Sequence, residues 1–317
     1  MTVQPDDARS RLLVKIASLY YEKGWNQAEI ANELSLSRSK ISRMLSQAQE
    51  LGIVRTTVYD PLSSKSQIER LLAKRYDLRE AVVSASTTEA SALRASVAMA
   101  AGALIERLVA DGDIVGVNAG TTLSDTCEVV RSLPRPHSLV VPLVGGLGPS
   151  GARWQANLSA RALAQRLGCE YLQFNAPAFV SSAATKQSLL EEAEIRDVLK
   201  KGGRCDLAIV GIGRLSEEST LMQAGLIDAE SQAELLGLGV VADVCNSFVD
   251  ATGRIVPFSG YDRMIGVRID ELRDARAVLG IAAGEEKASA IRAALEGGWL
   301  THFVTDADTA KAVLAGD

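Results

Sequence analysis

Between Gln27 and Leu45 the chain reads Gln-Ala-Glu-Ile-Ala-Asn-Glu-Leu-Ser-Leu-Ser-Arg-Ser-Lys-Ile-Ser-Arg-Met-Leu, a pattern that predicts two short helices meeting at a tight turn. Ile30, Ala31 and Leu34 form one apolar stripe at helical spacing, and Ile41, Met44 and Leu45 form a second. Ser35, Leu36 and Ser37 supply the turn, with Ser37 placed to cap the following helix. Many helix pairs of this kind carry glycine where this chain has Ser35. Ala31 falls where two crossing helices come closest, and a small residue is needed there. The stripes turn Arg38, Ser39, Lys40, Ser42 and Arg43 away from the core. A helix so decorated fits the major groove of DNA, where Arg and Lys reach guanine edges or phosphates and Ser bonds to either. Gln27, at the start of the first helix, is placed near the DNA backbone, and Ser37 opens the reading helix.

The flanks fit a complete DNA-binding head. Leu12, Leu13, Ile16, Ala17, Leu19 and Tyr20 define a preceding amphipathic helix that closes a three-helix core. Gly52 stops the reading helix, and residues 53–58 read as a β-strand, the wing of a winged helix. Residues 9–58 hold eight Lys/Arg against four Asp/Glu, whereas the whole chain carries −5, so a basic head precedes an acidic body. That excess is small, so one head neutralises few phosphates and at least two are expected to act together. The organisation expected is a winged helix-turn-helix domain over 1–58, a linker over 59–65 containing Pro61, and a large domain over 66–317.

In the large domain, helical and strand patterns alternate. Strands are predicted at 81–84, 114–117, 139–144, 207–210, 239–242, 278–282 and 303–305. Helices are predicted at 66–76, 91–109, 157–167, 189–200 and 287–295. Apolar residues make up 47% of the chain and aromatics only 4%, so the core is built of Ala, Leu, Val and Ile. This suits a mostly parallel, doubly wound α/β sheet covered on both faces. No apolar run approaches the roughly 18 residues of a membrane span and no signal-peptide pattern opens the chain, so a cytoplasmic protein without membrane contact is expected. The four scattered cysteines lack metal or disulfide spacing, and neither a metal site nor a cofactor is expected.

Ligands of such sheets sit beyond the carboxyl ends of the strands. There, Gly120, Thr121 and Thr122 join a strand to a helix and offer N–H groups, two hydroxyls and a positive dipole end to a phosphate. A Thr-capped helix after a glycine turn fits the same residues equally well. Gly145 and Gly146 follow another strand, and Arg153, Gln155 and Asn157 supply a cation and amides just after them. Gly211 and Gly213 repeat the strand-to-glycine arrangement, and Lys287 lies at the start of a helix after Gly284.

In order and spacing, the segments Ile16–Glu22, Gln27–Ala31, Ile41–Leu45, Gly120–Leu123, Val144–Gly148, Leu207–Gly213, Gly239–Asp243 and Gly284–Lys287 together resemble the SorC-type sugar-responsive transcriptional regulators. The resemblance covers nearly the whole chain. It implies an effector domain similar to sugar-phosphate isomerases and deaminases, without their catalysis. It also implies binding of operator DNA, a phosphorylated sugar as effector, and a homodimer or homotetramer. It further implies that Gly120, Thr121 and Thr122 cradle a phosphate, and that Gln155, Asn157, Asp243 and Lys287 line the sugar pocket. Ala242 stands where the family pattern has glycine.

Two alternatives are carried forward. One is an active isomerase or deaminase fused to a DNA-binding head, for which Asp206 or Asp243 would be the base. Its chemistry is often helped by histidine, and only His137 and His302 are present, both reading as structural or solvent-facing. The other is a binding or assembly module with no DNA role.

Overall fold

The computed structural model describes residues 7–54, 64–148, 155–216, 222, 225 and 227–316. They fall into two compact units, Met1–Asp60 and Pro61–Asp317. Among the described residues no helix is long and apolar enough to cross a membrane.

The described residues of the first unit form α1 (Asp7–Tyr21), α2 (Gln27–Glu33) and α3 (Arg38–Glu50). Asn26 starts α2 through a capping box, its side chain accepting from Ala28 N and Glu29 N while Glu29 accepts from Asn26 N. Ser37 caps α3, its Oγ accepting from Lys40 N at 3.3 Å. Between them Ser35 takes φ 51, the left-handed turn position. Leu13, Ile16, Leu19, Ile30, Ala31, Ile41, Met44 and Leu45 pack into one small core, and the two apolar stripes meet there. After α3, Ile53 and Val54 lie in bends and form no strand. The rest of the expected wing, and most of the expected linker, lies outside the described residues.

The second unit begins with α4 (Ser64–Arg75) and β1 (Glu80–Ser84), followed by α5 (Ala90–Leu108), β2 (Ile114–Val117), α6 (Thr121–Val129) and β3 (Leu139–Pro142). Next come α7 (Ala156–Leu167), β4 (Glu170–Tyr171), α8 (Ala183–Glu191), α9 (Ala193–Gly202), β5 (Leu207–Gly213) and α10 (Ala229–Gly237). The chain closes with β6 (Val240–Val244), β7 (Ser247–Asp250), β8 (Ala277–Ile281), α11 (Ala288–Glu296), β9 (His302–Asp306) and α12 (Ala307–Ala315). Seven strands form one parallel sheet in the order β1-β9-β8-β5-β2-β3-β4.

The two-residue period of a strand sorts its side chains between the faces. Ala208, Val210 and Ile212 of β5 join one core with Phe303 and the α11 residues Ala290, Ile291 and Ala294. Leu207 and Ile209 join the other, with Val115, Val117, Leu279 and the α5 residues Val97, Leu104 and Ile105. Burial on both faces explains why these strands read as unbroken apolar runs rather than alternating ones.

Three expectations change. The apolar run 239–242 belongs to β6, which is antiparallel to the end of β5 and forms a hairpin with β7. Its turn, Cys245-Asn246, has positive φ at both residues, the geometry of a primed hairpin turn, without the glycine that would have announced it. The helix expected over 189–200 is two helices, parted at Glu192 by an extended φ −71, ψ 127. The strand expected over 139–144 ends at Pro142, and Val144 makes an isolated bridge with Gly266.

Candidate effector site

From the β2–β5 pair the sheet order runs outward in opposite directions, so the loops leaving these two strands diverge and open a crevice at their carboxyl ends. A cavity of about 280 Å³ occupies that crevice. Residues 118–123 line it after β2, residues 211–216 at the end of β5, and Ile281, Glu286 and Lys287 at and after β8. Asp243, Asn246 and Phe248 of the antiparallel hairpin close one side, and Val144 and Leu147 contribute from the loop after β3.

The N-terminus of α6 enters this cavity. Gly120 holds φ 151, which only glycine adopts without strain, and among the described residues no side chain caps the helix. The first-turn N–H groups of an uncapped helix need an acceptor, and together with the helix dipole they favour an anion. Three cations, Arg94, Arg214 and Lys287, line the same space. Burial holds the Lys287 amine below its ordinary range, and Arg214 and Arg94 push the same way against Glu286. Arg94 reaches in from α5, with its Nε 3.7 Å from Asp125 Oδ2.

Asp243 stands opposite Gly213 in the β5–β6 register. The residue as a whole is half-buried, yet its Oδ1 is sealed from solvent and has no hydrogen-bond partner among the described residues. A buried acceptor without a donor is costly, and a ligand hydroxyl would satisfy it. Burial pushes the Asp243 carboxyl up to about 7. The folded protein therefore keeps a proton that an unfolded Asp releases near pH 4, and its stability declines as pH rises through that window. Asp243→Asn should flatten the pH dependence of the melting temperature between about pH 4 and 7 and raise it at pH 8. Parallel melting curves for parent and variant across that range would refute the assignment.

The residues singled out from sequence divide. Gly120, Thr121, Thr122, Asp243 and Lys287 line the cavity. Asn157 does not: its Oδ1 accepts from Phe174 N at 2.8 Å and its Nδ2 donates to Phe174 O at 3.1 Å, so both ends pin the backbone. Gln155 precedes α7 and donates from Nε2 to Gly148 O at 3.1 Å. Gly145 and Gly146 serve packing instead. Gly146 pairs with Ala176 and Ala178 through its backbone, and a Cβ on Gly145 would lie 2.5 Å from Ala176 O. Their loop reaches the cavity through the neighbouring Val144 and Leu147. Arg153 lies outside the described residues. Arg94, Arg214, Asn118 and Asn246 are lining residues that the sequence reading did not select. A glycine-rich strand end pointed to Arg214, but nothing local to Arg94 signalled its role.

Both histidines and Asp206 sit at the amino ends of the strands, away from the cavity. His137 Nδ1 pairs with Asp111 Oδ2 at 2.7 Å before β3, and His302 opens β9 beside Thr301 Oγ1. Asp206 Oδ2 accepts from Ile114 N at 2.8 Å, a bond that ties the start of β2 to the start of β5. Among the described residues no group of three His, Cys, Asp or Glu side chains is arranged to hold a metal ion.

In the first unit α3 buries Ile41, Met44, Leu45 and Ala48 and exposes Arg38, Ser39, Lys40, Ser42 and Arg43. Ser37 spends its hydroxyl on the helix cap and on Ser39 Oγ at 3.1 Å. Arg43 Nε donates to Ser39 O at 3.4 Å. Gln27 is half-buried at the first turn of α2.

Residues 60–315 match the family model described as "Putative sugar-binding domain". The chain is 31% identical over 309 residues to the sorbitol operon regulator of Klebsiella pneumoniae, covering 96% of this chain and 98% of that protein. It is 29% identical over 310 residues to the deoxyribonucleoside regulator of Bacillus subtilis strain 168, covering 98% and 99%. The crystal structure of the full-length sorbitol operon regulator SorC from K. pneumoniae superposes with a TM-score of 0.75 at 30% identity, over 98% of this chain and all of that one.

Proposed function

The chain belongs to the SorC-type family of sugar-responsive transcriptional regulators, and on that premise we propose a division of work between its two units. Residues 1–58 bind operator DNA through α3, residues 59–65 link, and residues 66–317 bind a phosphorylated sugar that changes the hold on DNA. The regulated genes are those of a carbohydrate-utilisation operon, as the names of its relatives suggest. One observation carries the effector class: a helix N-terminus and three cations share a cavity with a buried carboxylate oxygen, and among the described residues neither the helix nor that oxygen has a side-chain partner. The first set suits a phosphate and the second a sugar hydroxyl.

The reading contains no catalytic step. The two histidines and Asp206 lie at the strand ends opposite the cavity, so none of the three is placed to act as an isomerase base there. It does contain an oligomer, a homodimer or homotetramer, because the small basic excess of one head makes few phosphate contacts.

The test is a gel shift on the DNA upstream of the chain's own gene, with a panel of sugar phosphates and the matching free sugars. A phosphorylated member should change the shift, and its free sugar should not. Calorimetry that finds the free sugar bound as tightly as its phosphate would overturn the effector assignment. In sedimentation at micromolar concentration without DNA, dimers or tetramers are expected, and monomers would remove the oligomer from the reading.

A further inference from the structure

Beyond the residues that line the cavity lies a buried hydrogen-bond network. Asp306 ends β9 and caps α12, its Oδ1 accepting from Asp308 N and Thr309 N, each at 3.1 Å, and from Ser86 Oγ at 2.9 Å. Capping accounts for that oxygen. It does not account for the other one. Oδ2 accepts from the Thr309 hydroxyl and, at 3.3 Å, from Gly284 N. Thr309 Oγ1 in turn accepts from Gly284 N at 2.8 Å. A single polarised chain thus runs from the Gly284 N–H through the Thr309 hydroxyl to the Asp306 carboxylate, with Thr309 fully buried.

Gly284 is where the strand end becomes the loop that carries Lys287. Its carbonyl accepts from Lys287 N at 2.9 Å, closing the turn Glu285–Lys287 that leads into α11. The residue holds φ 105, and a Cβ there would lie 2.2 Å from Glu286 Oε1, so the Glu286 carboxylate folds back over the glycine. Glu286 and Lys287 both line the cavity, whereas neither Asp306 nor Thr309 does. Burial alone would raise the Asp306 carboxyl, but the hydrogen bonds from Thr309, Ser86 and Gly284 outweigh it and hold the group ionised.

We propose that Asp306 and Thr309 are positioning residues for the effector site, fixing the Gly284 turn so that Lys287 is presented to an anion at the α6 N-terminus. The inference rests on the effector reading above. Preorganised cations bind better than mobile ones because the cost of ordering them has been met in folding. Thr309→Val keeps the shape of the side chain and deletes the middle of the polarised chain.

The experiment is a double-mutant cycle on the full-length protein, titrated with inorganic phosphate and followed by phosphorus NMR. Thr309→Val and Lys287→Ala should each weaken phosphate binding, Thr309→Val by about tenfold, and Thr309→Ser should restore it. In the Lys287→Ala background Thr309→Val should have little further effect, because a residue acting through Lys287 has nothing left to position. If Lys287→Ala binds phosphate as the parent does, or the parent binds none, the effector reading fails and this inference falls with it. If Lys287→Ala weakens binding but Thr309→Val does not, or the two losses simply add, only the positioning role is overturned. Should Thr309→Val fail to fold, Ser86→Ala at the outer end of the network enters the same cycle, with the same coupling expected and additivity again fatal.

Discussion

Thr121→Ala combined with Thr122→Ala is expected to weaken the effector's binding by about 100-fold or more, since two hydrogen bonds to a charged group are each worth about 1.5–3 kcal/mol. Both residues line the cavity at the first turn of an uncapped helix, so their hydroxyls supplement the backbone donors there. The backbone donors remain in the variant, which is why the loss is not total. DNA binding without effector should be unchanged, because neither side chain belongs to the first unit. A ligand controls DNA binding only to the extent that it prefers one arrangement of the protein, and a tenfold change in DNA affinity needs about 1.4 kcal/mol of such preference. With that coupling intact but binding weakened, the gel-shift response should move to correspondingly higher effector concentration. A variant that answers at the parental concentration would show that the phosphate is held elsewhere.

Arg43→Ala is expected to cost about 1–3 kcal/mol of specific DNA affinity, or roughly 10- to 100-fold, if the side chain makes a bidentate contact to guanine. The structure places Arg43 on the exposed face of α3, with its Nε on Ser39 O one turn before it. Base preference at one operator position should relax as affinity falls. An equal loss on every sequence would make Arg43 a phosphate anchor and remove it from base reading. Two heads acting together predict an inverted repeat with half-sites a whole number of helical turns apart, which footprinting on the parent protein checks.

The sequence carried the local features of this fold because those features are set by neighbours in the chain. Caps, turns and burial faces depend on residues a few positions apart, so Ser37, the two apolar stripes and the strand cores at 114–117 and 207–210 were all legible. Ser35 was placed in the turn with Leu36 and Ser37, where many such pairs carry glycine, and it takes φ 51 there. At the Gly120–Thr122 loop the residues singled out by type do line the cavity. Where residue type misled, tertiary contacts had already claimed the group. Asn157 has the amide a sugar pocket needs, but the Phe174 backbone takes both of its ends. Gly145 has the freedom a ligand loop needs, but Ala176 O occupies the space where a Cβ would stand.

By itself, then, the sequence determined a helical head, a parallel sheet buried on both faces, and a glycine turn before α6. Only the tertiary structure decided which side chains meet. Arg94 comes to the cavity from α5, before the first strand the site uses, and Asp243 comes from a strand that runs against the parallel sheet. Strand order and pairing direction are fixed by hydrogen bonds between segments far apart in the chain, and the apolar period of a strand is the same whichever neighbour it pairs with.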